Sequence, residues 1–196
     1  MEFSPFCYLS INRPDRVSRQ VVSKSFARGI YLYQPPLKFT PIYEIVSGLV
    51  KIGTYSSDGK EVCFDILGPG DFFGNLRYLE GQFFEFSKSL TKIELRVYEH
   101  DFFRKLIVNE PAVSEWFNHQ VVKRWFRAED RLFAIRDQDA KGKIQKVLKG
   151  FESIRPEDYH RYITYQDLAD LTGLTRQTVS KVMKKIEEVG LGNLKC

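Results

Sequence analysis

Cysteine and histidine are scarce in this chain of 196 residues, which contains three of each. The cysteines, Cys7, Cys63 and Cys196, are odd in number and far apart, and no two form a C-x-x-C pair. They therefore favour neither a disulfide framework nor a zinc or iron–sulfur site. The histidines lie in separate regions, which disfavours a β-barrel metalloenzyme. We expect no metal, no cofactor and a reducing cytoplasm.

Long apolar runs are also missing. No stretch approaches the roughly 20 apolar residues that a membrane-spanning helix needs. Residues 1–10 have neither the basic start nor the apolar run of a secretory signal. We therefore expect a soluble, cytoplasmic protein with no membrane partner. No nucleophile–base set, glycine-rich phosphate loop or redox pair is evident, so an enzyme or small-molecule carrier is the less favoured alternative.

Aromatic residues and positive charge are what the chain does have. It contains 16 Phe and 10 Tyr, and 43% of its residues are hydrophobic, which is enough for well-packed cores. The formal net charge is +5. That charge is compatible with a polyanionic partner, but it is also ordinary for a soluble protein. The function class therefore has to come from motifs.

Residues 1–111 have the pattern of an antiparallel β domain. Short runs rich in β-branched and aromatic residues alternate with turns, and residues 93–98 alternate as a half-buried strand does. Asp58-Gly59 between two such runs is a strong hairpin signal. Many short strands with frequent turns predict a closed roll or sandwich.

Residues 112–136 contain neither proline nor glycine and predict one long helix. One apolar stripe has the 4-3-4-3 spacing of a coiled-coil seam. Its members are Val121, Trp125, Ala128, Leu132 and Ile135. A second stripe, on an adjacent face, contains Val122, Phe126 and Phe133. We expect one face to cover the β domain and the seam to pair with a second copy; burial of both faces within one chain is the alternative.

Residues 137–196 predict a helical domain with a helix-turn-helix. Thr164 is a good N-cap for a short helix, and Asp167 three residues on favours its N-terminus. Gly173 suits a left-handed turn. Thr175 then begins a second helix over about 176–188. The pattern is typical of a DNA-binding domain.

The outer face of that second helix has the residue types that read DNA. A recognition helix places its N-terminal residues against base edges in the major groove. Arg176 can donate two hydrogen bonds to guanine, Gln177 can pair with adenine, and Lys181 can reach a base. Phosphate contacts are predicted for short hydroxyls and a lysine near the helix starts, namely Thr164, Thr175, Thr178, Ser180 and Lys184. A solvated basic helix face is the alternative to double-stranded DNA binding.

Over nearly its whole length the chain resembles the Crp/Fnr family of bacterial transcription regulators. Residues 174–181 are similar to the start of that family's recognition helix, and residues 139–144 to the start of its DNA-binding domain. Residues 43–51, 58–61 and 68–74 are similar to the glycine-punctuated β-roll of cyclic-nucleotide-binding domains.

The resemblance implies an α+β chain with three parts. A jelly-roll-like antiparallel β-roll (1–111) comes first, then a dimerisation helix (112–136), then a winged-helix-type helix-turn-helix domain (137–196). The implied function is a homodimeric transcription regulator on a near-palindromic operator. RNA polymerase is a candidate partner for the turn at 56–60, where a simple hairpin turn is the favoured interpretation. Residues 191–196 are too few for the family's usual wing, so we expect a shortened one.

The effector pocket departs from the family's pattern. Nucleotide-binding members carry a Glu for the ribose and an Arg–Ser pair for the cyclic phosphate. Here Asn75 takes the Glu position, no Arg lies in 81–87, and Glu85 would repel a phosphate. We expect cyclic AMP not to bind in the usual way, and we favour a filled, ligand-free pocket over one for an apolar molecule. The pocket residues are Gly74, Asn75, Leu76, Phe84, Phe86 and Ser87. A cyclic-nucleotide response through Arg77 or Lys88 is the alternative.

Overall fold

The computed structural model of the protein describes residues 3–37, 39–75, 84–152 and 161–188. In chain order the elements are α1 (Pro5–Asn12), α2 (Pro14–Gln20), β1 (Val21–Phe26), β2 (Tyr31–Tyr33), β3 (Ile42–Ser47), β4 (Val50–Tyr55), β5 (Glu61–Leu67), β6 (Phe72–Phe73), β7 (Phe86–Ser89), β8 (Ile93–Tyr98), α3 (His100–Asn109), α4 (Pro111–Asp137), α5 (Ala140–Glu152), α6 (Tyr165–Thr172) and α7 (Arg176–Glu188). None of the helices in these ranges is both long and apolar enough to cross a bilayer.

The strands form the predicted antiparallel β-roll. One sheet has the order β1-β8-β3-β6 and the other β2-β7-β4-β5, with antiparallel pairing throughout. β8 buries Ile93 and Leu95 and exposes Glu94 between them, as the sequence alternation predicts. Gly59 has a φ of 78° in the turn between β4 and β5, which confirms the hairpin. Side chains of both sheets share one apolar core.

The long helix α4 begins with Pro111, whose missing N–H costs nothing at the first helical position. Its 27 residues make it about 40 Å long. Val113 and Trp116 anchor its first turns in a core shared with α1, α3 and β8. Further along, arginines face the roll. Arg124 and Arg131 both pair with Asp65 at 3.3 Å, and Arg127 pairs with Asp71 at 3.1 Å.

The expectation that one apolar stripe of α4 covers the roll is wrong. Six side chains from the two stripes are between 44% and 66% exposed, namely Val121, Val122, Trp125, Phe126, Leu132 and Phe133. The physical reason is that the arginines occupy the side of α4 that faces the roll. Burial of both stripes within one chain is likewise wrong. Ile135 is the exception, because it is half-buried and its Cγ2 lies beside Gly173.

The three C-terminal helices pack around one core. Ile144 and Val147 of α5, Leu168 and Leu171 of α6, and Val179 of α7 are all buried in it. The same cluster also includes four side chains of the roll, namely Leu49, Cys63, Ile66 and Leu90. The C-terminal helices therefore rest on the roll as well as on α4.

Candidate functional site

The helix-turn-helix is built on a capping box and a left-handed glycine. The Thr164 hydroxyl oxygen accepts a hydrogen bond from the Asp167 N–H at 3.1 Å, and Asp167 Oδ2 accepts one from the Thr164 N–H at 2.9 Å. Gly173 ends α6 with a φ of 66° and a ψ of 21°, where a side chain would be strained. The Leu174 N–H then donates to the Ala169 carbonyl at 3.1 Å, which closes the turn.

The recognition-helix candidate α7 separates an apolar face from a basic one. Val179, Met183 and Ile186 are buried at 0%, 4% and 3% exposure. The exposed positions include the three residues predicted to contact bases, Arg176, Gln177 and Lys181, together with Lys184 and Lys185. The fold thus places the predicted base-reading side chains together on one solvent-facing surface, which we call the basic face of α7.

Among the side chains that the structure describes, no carboxylate pairs with the basic face of α7. Arg176, Lys181 and Lys184 take part in none of the ion pairs among those side chains. The cations of those pairs all lie outside α7. The charges of these three side chains are therefore available to an external anion.

The predicted phosphate-binding hydroxyls lie at the two helix starts. Thr175 Oγ1 accepts a hydrogen bond from the Thr178 N–H at 3.2 Å and lies 2.9 Å from Thr178 Oγ1, so it caps α7. Thr164 caps α6 in the same way. Ser180 is half-buried one turn further along α7. The hydroxyls of Thr164 and Thr175 are thus already engaged, although an oxygen-bound proton can be redirected to a phosphate.

The predicted effector-pocket residues that the structure describes differ in burial and in backbone conformation. Phe86 and Ser87 are fully buried on β7, whereas Phe84 is 60% exposed. Gly74 has a φ of 119°, and a Cβ there would lie 2.4 Å from the Pro41 carbonyl oxygen. The Asn75 N–H donates to Thr40 Oγ1 at 2.7 Å.

Leu76, the remaining predicted pocket residue, lies outside the described residues, as do Arg77 and the short C-terminal segment 191–196. Lys88, the other cation considered for a cyclic phosphate, donates to Tyr31 Oη at 2.9 Å and to Glu61 Oε1 at 3.1 Å. Lys88 is therefore already satisfied by groups of the roll.

The sequence interpretation missed the charged layer between α4 and the roll. It contains the aspartates and arginines already described, together with Glu85, which accepts a hydrogen bond from the Tyr33 hydroxyl. The three- and four-residue spacing of Arg124, Arg127 and Arg131 places them on one side of a helix, so the sequence alone could have indicated this charged side. An adjoining cavity of about 140 Å³ is lined in part by Phe73, Gly74, Arg124 and Arg127. That volume is well below the ~300–1,000 Å³ of ordinary small-molecule sites.

Two family models match the chain. The model described as cyclic nucleotide-binding domain matches residues 23–110, and the model described as bacterial regulatory proteins, crp family, matches residues 163–191. The first covers the roll and α3, and the second covers the helix-turn-helix. These matches agree with the resemblance drawn from the sequence.

Curated proteins that are similar in sequence show the same likeness. The CRP-like cAMP-activated global transcriptional regulator of Mycobacterium tuberculosis is 26% identical over 174 residues, covering 85% of this chain and 78% of the relative. The cAMP-activated global transcriptional regulator CRP of Haemophilus influenzae is 25% identical over 200 residues, covering 92% and 88%.

Among solved structures, FixK2 from Bradyrhizobium japonicum has a TM-score of 0.75 at 18% identity, covering 90% of this chain and 89% of its own. The c-di-GMP responsive global regulator CLP from Xanthomonas campestris has a TM-score of 0.71 at 20% identity, covering 92% and 93%. These likenesses confirm the predicted fold class.

Burial of Glu85 predicts that the free energy of unfolding depends on pH. Glu85→Gln should reduce this pH dependence. Burial raises the pKa of Glu85, and this outweighs the hydrogen bond from Tyr33 and the charge of Arg124. A pKa that is higher in the folded than in the unfolded chain makes the free energy of unfolding fall as pH rises through the interval between the two. Glutamine keeps an acceptor for Tyr33 and cannot ionise, so the variant should gain stability relative to wild type as the pH rises above ~4, where glutamate in the unfolded chain begins to ionise.

Urea unfolding of both proteins at several pH values measures this difference. Glu94→Gln on the exposed side of β8 controls for the loss of one negative charge. If the difference in the free energy of unfolding between wild type and Glu85→Gln stays constant across the pH range, the burial argument is wrong.

Proposed function

This chain belongs to the Crp/Fnr family of bacterial transcription regulators, and we propose that it acts as a homodimer that binds a specific double-stranded DNA sequence. Its relatives are named transcriptional regulators, and it is accordingly a DNA-binding regulator rather than an enzyme. The observation that carries the proposal is the basic face of α7, which is exposed, has no carboxylate partner among the side chains that the structure describes, and is backed by a buried apolar face.

In the proposed complex the start of α7 enters the major groove. Arg176 donates two hydrogen bonds to a guanine, Gln177 pairs with an adenine, and Lys181 reaches a third base. Lys184 adds attraction to phosphates that does not depend on sequence. Near the helix starts, the hydroxyls of Thr164, Thr175, Thr178 and Ser180 bind phosphates on either side of these bases.

We assign the uncovered face of α4 to a second copy of the chain. Val121, Trp125, Ala128 and Leu132 keep the 4-3-4 spacing of a coiled-coil seam and are exposed in the single chain. Beside them Val122, Phe126 and Phe133 line an open groove of about 670 Å³. Ile135, the fifth predicted seam residue, contributes less because it lies against Gly173.

A dimer built in this way presents two copies of α7 to one duplex. Each would read half of a near-palindromic operator, with half-sites about one helical turn apart. The turn at residues 56–60, of which 57–60 are exposed, remains a candidate surface for RNA polymerase.

We further propose that cyclic AMP does not regulate this chain in the usual way. Between α4 and the roll, Asp65 and Asp71 take the charges of the three arginines and Glu85 holds Tyr33. Arg127 Nε and the hydroxyl of Ser87, a predicted pocket residue, are buried without a hydrogen-bond partner among the described residues. A cyclic phosphate would have to displace one of these carboxylates to find a cation, which leaves a buried charge without a partner. The pocket is therefore filled by internal ion pairs.

Substitution of Arg176 and of Lys184 separates base reading from general attraction. Arg176→Ala should abolish discrimination at one base pair of each half-site, a loss of about 1–3 kcal/mol at that position. Lys184→Ala should weaken binding to all duplexes alike and lower the salt dependence by about one counterion. Fluorescence anisotropy on duplexes with single base-pair changes measures both effects. Unaltered base preference in Arg176→Ala would refute the assignment.

A charge placed in the proposed seam should separate the dimer. Leu132→Asp buries an unpaired carboxylate at the helix–helix contact, which should weaken association by about 3–5 kcal/mol. Val108→Asp, at a position of α3 that is 73% exposed, is the matched control and should remain dimeric. Sedimentation equilibrium gives the association constants. The seam assignment fails if Leu132→Asp dimerises as wild type does.

Titration calorimetry with cyclic AMP tests the filled pocket. We expect no saturable heat at millimolar nucleotide, because the three arginines that the structure describes between α4 and the roll each have a carboxylate partner. The same titration with cyclic GMP covers the alternative of a non-standard pocket. A micromolar dissociation constant for either nucleotide would overturn the proposal.

A further inference from the structure

The first helix of the helix-turn-helix is docked on the β-roll through polar contacts that the proposed DNA contacts do not use. Lys51 Nζ, on β4, lies 3.0 Å from Asp167 Oδ1 and 2.9 Å from Glu61 Oε2. The Lys51 and Asp167 side chains are only 12% and 3% exposed. Asp167 thus caps α6 with one oxygen and holds a lysine of the roll with the other.

Lys51 keeps its charge in this position. Burial alone would lower the pKa of Lys51, but hydrogen bonds to Glu61 and Asp167 outweigh burial and raise it. Burial alone would raise the pKa of Glu61, but hydrogen bonds from Tyr31, Lys51 and Lys88 outweigh burial and lower it to about 2. Lys51 and Glu61 are therefore both ionised throughout the neutral range.

A second contact comes from the edge of the roll. β5 is the outer strand of its sheet, so one row of its backbone groups has no strand partner. The pairing with β4 also shifts register beside Cys63. The Cys63 N–H donates to Asp170 Oδ2 of α6 at 2.8 Å. α6 thus uses the open strand edge as a hydrogen-bonding surface.

Two further contacts surround this docked surface. Leu49, Cys63, Ile66 and Leu90 of the roll share a buried core with the C-terminal helices. The Arg28 guanidinium of the β1–β2 turn lies 5.2 Å from the centre of the Tyr162 ring, just before the Thr164 cap.

We propose that Lys51 and the β5 edge at Cys63 are positioning elements that fix the orientation of α7 relative to α4, and thereby the spacing of the two DNA half-sites. The inference rests on the proposed function as a DNA-binding dimer. α4 ends at Asp137 and α5 begins at Ala140, so the covalent link between them is only Gln138 and Asp139. Gln138 is extended with a ψ of 155° and has left the helical path. Such a short non-helical link permits rotation, and the contacts of α6 with the roll oppose it.

The consequence is a roll residue that controls DNA geometry without touching DNA. Lys51 acts on Asp167, Asp167 fixes the start of α6, and the buried contact between α6 and α7 carries that position to the basic face. Two recognition helices must lie one helical turn apart, ~34–36 Å, to read both half-sites. Loss of the docking contacts should therefore broaden the accepted spacing and leave the reading of each half-site intact.

The test measures affinity for duplexes in which the spacer between two half-sites is changed by one or two base pairs, and for a duplex with a single half-site. Lys51→Met removes the charge and keeps the side-chain length. Lys51→Arg is the conservative rescue, and Lys24→Met, an exposed lysine of β1, is the matched control. Asp170→Ala removes the strand-edge contact without leaving a buried charge.

Wild type, Lys51→Arg and Lys24→Met should prefer one spacing sharply. Lys51→Met and Asp170→Ala should reduce that preference by about tenfold, the equivalent of about 1.4 kcal/mol, with single half-site affinity unchanged. If Lys51→Met does not fold, Asp170→Ala decides. If Asp170→Ala and folded Lys51→Met both keep a sharp spacing preference, the inference about Lys51 and the β5 edge is wrong. That result leaves the proposed function as a DNA-binding dimer unaffected. A wild type that binds the half-site but shows no spacing preference overturns the dimeric function as well.

Discussion

Ion pairs between α4 and the β-roll determine which side of the long helix is left open. Asp65 is 8% exposed and is held by two arginines, so loss of either arginine leaves a poorly compensated buried charge. With that side fixed, the apolar stripes can only face away from the roll. In the proposed account, the same pairs engage the arginines that a cyclic phosphate would otherwise need. One charged layer thus governs the proposed dimer face and the proposed absence of a cyclic AMP response.

Local features of this fold were predictable from the sequence. Asp58-Gly59 gives the β4–β5 turn, and Thr164 with Asp167 and Gly173 gives the helix-turn-helix, because each depends on backbone geometry over a few residues. The basic face of α7 also follows from helical spacing alone. The assignment of its residues to bases and phosphates stays a prediction, since spacing indicates a surface and not its ligand.

Contacts between distant segments were not predictable in this way. Lys51 and Asp167 are 116 residues apart, and Tyr33 and Glu85 are 52 apart, so no local pattern links them. The periodicity of α4 identified two apolar stripes but could not say what covers them, and arginines rather than Val122, Phe126 and Phe133 meet the roll. Glu85 was interpreted only as a charge that repels phosphate, although its partner in the fold is a tyrosine.

Selection of bound fragments from a random pool of DNA duplexes by the purified protein tests the central claim most directly. The account predicts enrichment of an inverted repeat whose half-site centres are ~10–10.5 base pairs apart, as two copies of α7 on one face of the duplex require. A pool that shows no enriched sequence at modest ionic strength, with or without cell extract, would contradict the account.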